Sequence, residues 1–134
     1  MFLLDTCVIS EFIKARPSNA VTAWLRYRDP MALFISVLTL GELHYGVASH
    51  NSVSKERELN RWIEDVETRF ANRIVVLDDV IARQWGYLRA SSPNAPTTDT
   101  QLAATALAHG FTFVTRNVKH FRFSGLTVVN PWEA

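Results

Sequence analysis

The chain has 134 residues, 48% of them apolar and 20% charged, enough for one compact domain over residues 1–134 and too few for two ordinary ones. Lys and Arg number 14 against 13 Asp and Glu, so the net charge of +1 marks no global nucleic-acid binder, and any such role rests on a local site. Cys7 is the single cysteine, which excludes an internal disulfide framework and a multi-cysteine zinc site. No run approaches eighteen apolar residues, and a charge arrives at Asp5. Neither a membrane span nor a signal peptide is therefore expected, and the composition predicts a soluble, cytoplasmic protein.

Residues 1–4 form a short apolar run closed by Asp5, the length of a buried strand. From Val8 onward Ile9, Phe12 and Ile13 recur at helical spacing until Pro17-Ser18-Asn19 breaks the chain. Val21, Trp24 and Leu25 mark one face of a second helix ended by Asp29-Pro30. Leu33–Ser36 reads as a second buried strand and Val37–Ala48 as a helix. Over residues 54–70, Leu59, Trp62, Ile63, Val66 and Phe70 keep a helical stripe among charged residues. Residues 74–77 are β-branched and apolar, a third strand, after which Asp78 or Asp79 caps a helix carrying Ile81, Trp85 and Leu88. Residues 91–96 are loop, and Thr98-x-x-Gln101 has the form of a capping box opening a helix that ends near His109-Gly110. Residues 111–115 and 127–129 supply a fourth and a short fifth strand. Short buried strands alternating with helices call for an α/β fold with a mostly parallel sheet covered on both faces. Strand order is not legible.

In such a fold the strand carboxyl ends line one edge, where ligands bind. Asp5 ends the first strand, Asn117 follows the fourth, Glu42 lies one to two turns into the helix after the second, and Asp99 opens a later helix. Each has a plainer explanation. Asp5 suits a helix cap, Asp99 a helix dipole, and Asn117 a turn. Thr39 and Glu42 form a capping box if their helix starts late. Against that, Leu38, Glu42 and Tyr45 share a stripe flanked by Gly41 and Gly46, glycines that fit close approach of a backbone or ligand. If Asp5, Glu42 and Asp99 converge, charges about 5 Å apart repel by roughly 3 kcal/mol at an effective dielectric near 20. Such a cluster takes up protons or holds a cation, and an oxygen-only set suits Mg²⁺ or Mn²⁺. His44, His50, His109 and His120 show no zinc-binding pattern and read as surface or satisfied histidines. A P-loop and a nucleophile elbow are both absent from the sequence. A receiver domain also uses sheet-edge acids with Mg²⁺, but Asp5 stands alone and no lysine directly follows residues 127–129.

Leu3-Leu4-Asp5-Thr6-Cys7-Val8-Ile9-Ser10-Glu11 resembles the opening of PIN-domain ribonucleases. Ser36 through Glu42, continuing Leu43-His44-Tyr45-Gly46, resembles their second acidic motif; Thr98-Asp99-Thr100-Gln101-Leu102-Ala103-Ala104-Thr105-Ala106 resembles the third, and Val114-Thr115-Arg116-Asn117 the fourth. The ending Val129-Asn130-Pro131-Trp132 is similar to the VapC and FitB branch of type II toxins. The resemblance implies a PIN-like α/β/α sandwich with a four- to five-stranded sheet flanked by helices. It also implies an Mg²⁺- or Mn²⁺-dependent endoribonuclease with catalytic positions Asp5, Glu42, Asp99 and Asn117, the first three holding metal. A VapB-like antitoxin partner, structured RNA such as transfer RNA as substrate, operator DNA bound only through the antitoxin complex, and a homodimer follow from the same resemblance. Cys7 stands where Asn is common in the family and His120 where Asp is common. These departures motivate an alternative, a DNA-binding regulatory complex whose pocket is weakly active or inactive. The faces of residues 8–15 and 54–70 are candidate antitoxin surfaces, Trp24 and Trp62 fit core positions, and Arg16, Arg26, Arg28 and Arg116 are candidate RNA contacts.

Overall fold

A computed structural model describes residues 1–49 and 53–134. His50 lies outside the described residues. Five strands, β1 (Phe2–Leu4), β2 (Leu33–Ser36), β3 (Ile74–Val75), β4 (Thr112–Val114) and β5 (Val128–Val129), form one sheet in the order β3-β2-β1-β4-β5. Every neighbouring pair is parallel. The helices are α1 (Thr6–Ser10), α2 (Asn19–Arg26), α3 (Val37–Ala48), α4 (Val53–Arg69), α5 (Asp79–Ser91) and α6 (Thr97–His109). Short 3₁₀ turns cover Glu11–Ile13, Pro30–Ala32 and Val118–Phe121. No helix among the described residues is long and apolar enough to cross a membrane.

Because successive strand residues point to opposite faces, adjacent side chains feed two separate cores. Leu4 and Val114 join α1–α4 residues such as Val8, Trp24, Leu43 and Ile63 on one face. Leu3 and Phe113 join Ile81, Leu88 and Leu102 from α5 and α6 on the other. Ala103, Ala104 and Ala106 are fully buried, so α6 lies close against its neighbours, and Trp85 Nε1 donates to Thr100 Oγ1 at 3.0 Å to join α5 to it. Trp24 is core, as its spacing predicts, whereas Trp62 is only partly buried against that core.

The starts of the helices decide what the acids are free to do. Ser36 caps α3 by accepting from Leu38 N at 3.0 Å, so Thr39 and Glu42 are not a capping box. Asp78 caps α5 through Ile81 N at 2.9 Å. The expected capping box at Thr98 and Gln101 does not form. α6 begins at Thr97 with Pro96 at the cap and no side-chain cap bond, because the fixed φ of Pro96 already starts the turn one residue early. Gly110 ends α6 with φ 68°, a left-handed conformation that glycine adopts without strain.

Two buried ions that the sequence did not single out hold the α1–β3 side together. Glu11, 4% exposed, accepts from Ser18 N at 2.8 Å and pairs with Lys14 at 2.8 Å, fastening the end of the first helical segment to the cap of α2. The Lys14 hydrogen bond is the largest influence holding its carboxyl below the usual range. Arg73 donates to the carbonyls of Pro30 and Leu33 at 2.6 Å, and to that of Arg69, with its guanidinium 4.9 Å from the Phe70 ring centroid. It clamps the entry of β2 to the end of α4. Arg73→Ala leaves those carbonyls without their donor, and a loss of about 2–4 kcal/mol is expected in urea denaturation.

Candidate active site

The chain places β2 and β3 on one side of β1, then crosses to place β4 and β5 on the other. The carboxyl ends of β1 and β4 therefore flank the point where strand order reverses, the crevice in which open parallel sheets bind ligands. Asp5 directly follows β1 and is 7% exposed. Its Oδ1 accepts from Thr6 N at 2.8 Å, capping α1, while Oδ2 accepts from Thr115 Oγ1 at 2.7 Å. The plain reading of Asp5 as a cap is thus correct, and it uses only one of the two oxygens.

Thr115 directly follows β4 and is fully buried. Its hydroxyl also accepts from Asn117 N at 3.0 Å, so the Asn117 backbone reaches Asp5 through Thr115. The Asn117 side chain is exposed and does not cap the 3₁₀ turn that follows. Thr115 escaped notice in the sequence; its one signal is a hydroxyl residue closing an apolar strand inside the fourth motif.

Cys7 occupies the third place around this oxygen. Its Sγ lies 3.6 Å from Asp5 Oδ2 and 3.8 Å from Thr115 Oγ1. Burial first, and the Asp5 charge second, push the thiol pKa up, so it stays protonated and offers Asp5 a weak hydrogen bond in place of an amide.

Glu42 projects from α3 and accepts from Thr6 Oγ1 at 2.8 Å. Thr6 thus links the first two acids, its backbone holding Asp5 and its hydroxyl holding Glu42. Desolvation raises the Glu42 pKa, opposed by the Thr6 hydrogen bond and reinforced by the charges of Asp5 and Asp99. Desolvation also raises the Asp99 pKa, with the His120 charge lowering it and Asp5 raising it again. The three acids therefore share one electrostatic field, although they approach from β1, α3 and α6.

Asp99 Oδ2 is buried without a hydrogen-bond partner, and His120 Nδ1 stands 3.5 Å away, outside hydrogen-bond geometry. Asp99 Oδ2 thus has the His120 imidazole at ion-pair distance and feels the Asp5 charge. Among the described residues no three His, Cys, Asp or Glu side chains close into a metal cage.

The remaining candidates separate. Arg116 follows Thr115 and is exposed, its guanidinium 5.1 Å from the Trp132 ring centroid, within reach of this edge. Arg28 does not belong to it. Its guanidinium lies 4.2 Å from the Trp24 ring and 5.7 Å from Phe2, at the opposite end of β1 from Asp5. His44 faces Glu67 at 3.6 Å and His109 stacks on Phe111, both satisfied locally as expected. His120 is different, because it reaches Asp99. No atom lies within 4 Å of a Cβ built on Gly41 or Gly46, so no backbone of this chain approaches either.

Raised carboxyl pKa values mean the folded chain binds protons more readily than the unfolded one. Each such acid therefore lowers stability as pH rises from the ordinary carboxylate range, near 4, through its own raised value. Without divalent ions, Glu42→Gln is expected to raise the Tm by about 1–3 °C at neutral pH. The gain should vanish in acid, where Glu42 is protonated in both states; thermal melts at a series of pH values check it.

Residues 2–126 match the PIN domain. The chain is 37% identical over 139 aligned positions to the VapC ribonuclease Y4jK of Sinorhizobium fredii, covering 99% of each protein. It is 33% identical to Toxin FitB of Neisseria gonorrhoeae, covering 98% of this chain and 99% of that one. The crystal structure of FitAcB from Neisseria gonorrhoeae superposes with a TM-score of 0.93 at 32% identity over the whole of both chains. With this match over nearly the whole of a five-stranded parallel sheet, the chain belongs to the PIN-domain family.

Proposed function

We propose that this chain is the toxin of a type II toxin–antitoxin module and a divalent-metal-dependent endoribonuclease acting on structured RNA such as transfer RNA. The observation that carries the reading is the shared field of Asp5, Glu42 and Asp99 around an unsatisfied oxygen at the sheet switch point. Relatives named as a ribonuclease and a toxin support it.

Asp5 and Asp99 would hold Mg²⁺ or Mn²⁺, with Glu42 as a further ligand or as the group orienting the attacking water. When bound, the ion offsets phosphodiester charge and helps ionise water. Thr115 and Thr6 hold Asp5 and Glu42 in place by the hydrogen bonds described. Asn117 serves as an accessory orienter, and Arg116 meets phosphate at the rim. Water adds to phosphorus in line with the departing 3′-oxygen; the P–O3′ bond breaks, the 3′-oxygen takes a proton, and a 5′-phosphate remains on the other fragment.

The same reading assigns a partner surface. Ile9, Phe12, Leu25, Trp62 and Phe70 line an apolar groove of about 290 Å³, with Asp65 and Arg69 also on its wall. It lies between the two faces anticipated for an antitoxin, those of residues 8–15 and 54–70. A VapB-like antitoxin seats apolar side chains there, and operator DNA is bound through that complex.

Purified protein is expected to cut RNA with added Mg²⁺ or Mn²⁺ and to stop with EDTA. Asp5→Asn should lower the rate by roughly a hundredfold or more. Sequencing of fresh 5′ ends from total RNA, with and without the substitution, reads both activity and target. Cleavage unchanged by Asp5→Asn defeats the assignment. The pairing of His120 with Asp99 favours a second reading, a regulatory DNA-binding complex with a weak pocket. Operator binding by the complex without growth arrest by the chain alone would select it.

A further inference from the structure

Charge is not spread evenly along this chain. None of its 13 Asp and Glu lies between Asp99 and Glu133, and residues 116–122 inside that stretch carry Arg116, Lys119 and Arg122. All three are exposed. They stand on the segment that leaves β4 at the active-site edge. Its start is tied to Thr115 through the Asn117 amide, and His120 N donates to the Asn117 carbonyl at 3.0 Å. Phe121 anchors the turn, 3% exposed, with its ring centroid 4.3 Å from that of Phe113. The segment is thus fixed to the sheet while its cationic side chains stay in solvent. Among the described residues its one ion pair is His120 with Asp99, and Lys119 and Arg122 meet no carboxylate. Arg116 is less free, since its guanidinium lies over Trp132 and its charge helps hold the Glu11 carboxyl low.

We infer that Lys119 and Arg122 bind the phosphate backbone of the RNA substrate, so that the strand runs from the carboxylates past the start of α6 and along the Val118–Phe121 turn. This assignment rests on the ribonuclease reading and adds the path taken by the rest of the RNA. Three carboxylates repel a polyanion, and a net charge of +1 supplies no long-range pull, so the attraction has to be local. The cations that supply it must adjoin the acids without pairing to them. Lys119 meets that condition, being next to the His120 that reaches Asp99, and Arg122 extends the strip beyond Phe121. Other arginines do not. Those of α4 alternate with Glu and Asp along their helix, Arg83 pairs with Asp79 at 3.3 Å, and Arg28 lies over Trp24. Phe121 belongs to the core on the α5–α6 face of the sheet, whereas the apolar groove is lined from the opposite core by Leu4, Ile9 and Val66. RNA path and groove therefore use different faces. The path also leaves from β4, across β1 from β2 and the α3 helix that follows it. Contacts of this kind position the strand and carry no base selectivity.

The test titrates fluorescently labelled transfer RNA by anisotropy over a series of salt concentrations, in an Asp5→Asn background with EDTA, which keeps the RNA intact. The double substitution Lys119→Ala/Arg122→Ala is expected to weaken binding about tenfold. It should also flatten the slope of log K against log salt by about 0.7–0.9 for each charge removed. Lys119→Arg and Arg122→Lys keep the charge and should keep both values. In the chain with Asp5 intact and Mg²⁺ or Mn²⁺ added, Lys119→Ala/Arg122→Ala should raise KM about tenfold while kcat stays within about twofold, because neither cation touches the scissile phosphate. Both side chains are exposed, so the melting temperature should not change, which separates a lost contact from a misfolded chain. Arg57→Ala/Arg61→Ala removes the same charge from α4 and should alter neither slope nor KM. Equal slope and affinity with and without Lys119 and Arg122 overturn the inference while leaving the ribonuclease reading intact. An equal loss in the α4 variant overturns it too, in favour of overall charge. Unchanged RNA binding with weakened antitoxin or operator binding also overturns it and assigns the strip to the complex. A wild-type chain that neither binds nor cuts RNA overturns both readings.

Discussion

The hydrogen bond from Thr115 to Asp5, 2.7 Å long and buried, joins the ends of the two strands between which the sheet changes direction. Every other feature of the site is arranged around the carboxylate it fixes. Asp5 cannot swing toward solvent, because one oxygen is committed to the α1 cap and the other to Thr115. Its charge therefore acts at one place, where Glu42 and Asp99 feel it. The fold places like charges within one another's field, and Asp99 Oδ2 has only the His120 imidazole, 3.5 Å away, beside it. Desolvated carboxylates that feel one another's charge cost stability, and such groups cluster at functional sites.

The same short helix that begins at Asp5 carries Ile9 into the apolar groove on its other side. α1 thus borders two surfaces of opposite character, one anionic and one apolar. α3 does likewise, burying Leu43 and Val47 while presenting Glu42 and Tyr45 to a cleft. In both helices the 3.6-residue period divides packing from chemistry, so neither role is compromised by the other.

Much of this was legible in the residues. β2 and α3 occupy the spans their apolar pattern predicts, because Ser36 is both the last strand residue and a good helix cap. Counting from strand ends sets Asp5 after β1 and Asn117 after β4, where the fold has them. What stayed hidden depends on partners remote in sequence. Thr115 looks like any strand residue until Asp5, 110 positions away, is beside it. Nothing in the sequence marks Arg73 or Glu11 as buried, and only the folded chain shows the carbonyls and amide they meet. Strand order is likewise a long-range property. The capping box at Thr98 failed for a local reason, since Pro96 starts the helix before Thr98 can act. Arg28 misled in another way: its charge suggested phosphate, but the Trp24 ring claims its guanidinium.

The departures at Cys7 and His120 also acquire physical content. The thiol fills the space around Asp5 Oδ2 with a weak donor, and the imidazole places a partner beside Asp99 where an acid would have added repulsion. Both soften the negative field without removing it. The most direct measure of that field is Mn²⁺ uptake, followed by loss of the free-ion signal in electron paramagnetic resonance titrations of the wild-type chain, Asp5→Asn and Asp99→Asn. Saturable uptake by the wild type, weakened in both variants, is the expected outcome. Uptake that is absent from the wild type, or identical in all three proteins, would contradict the account.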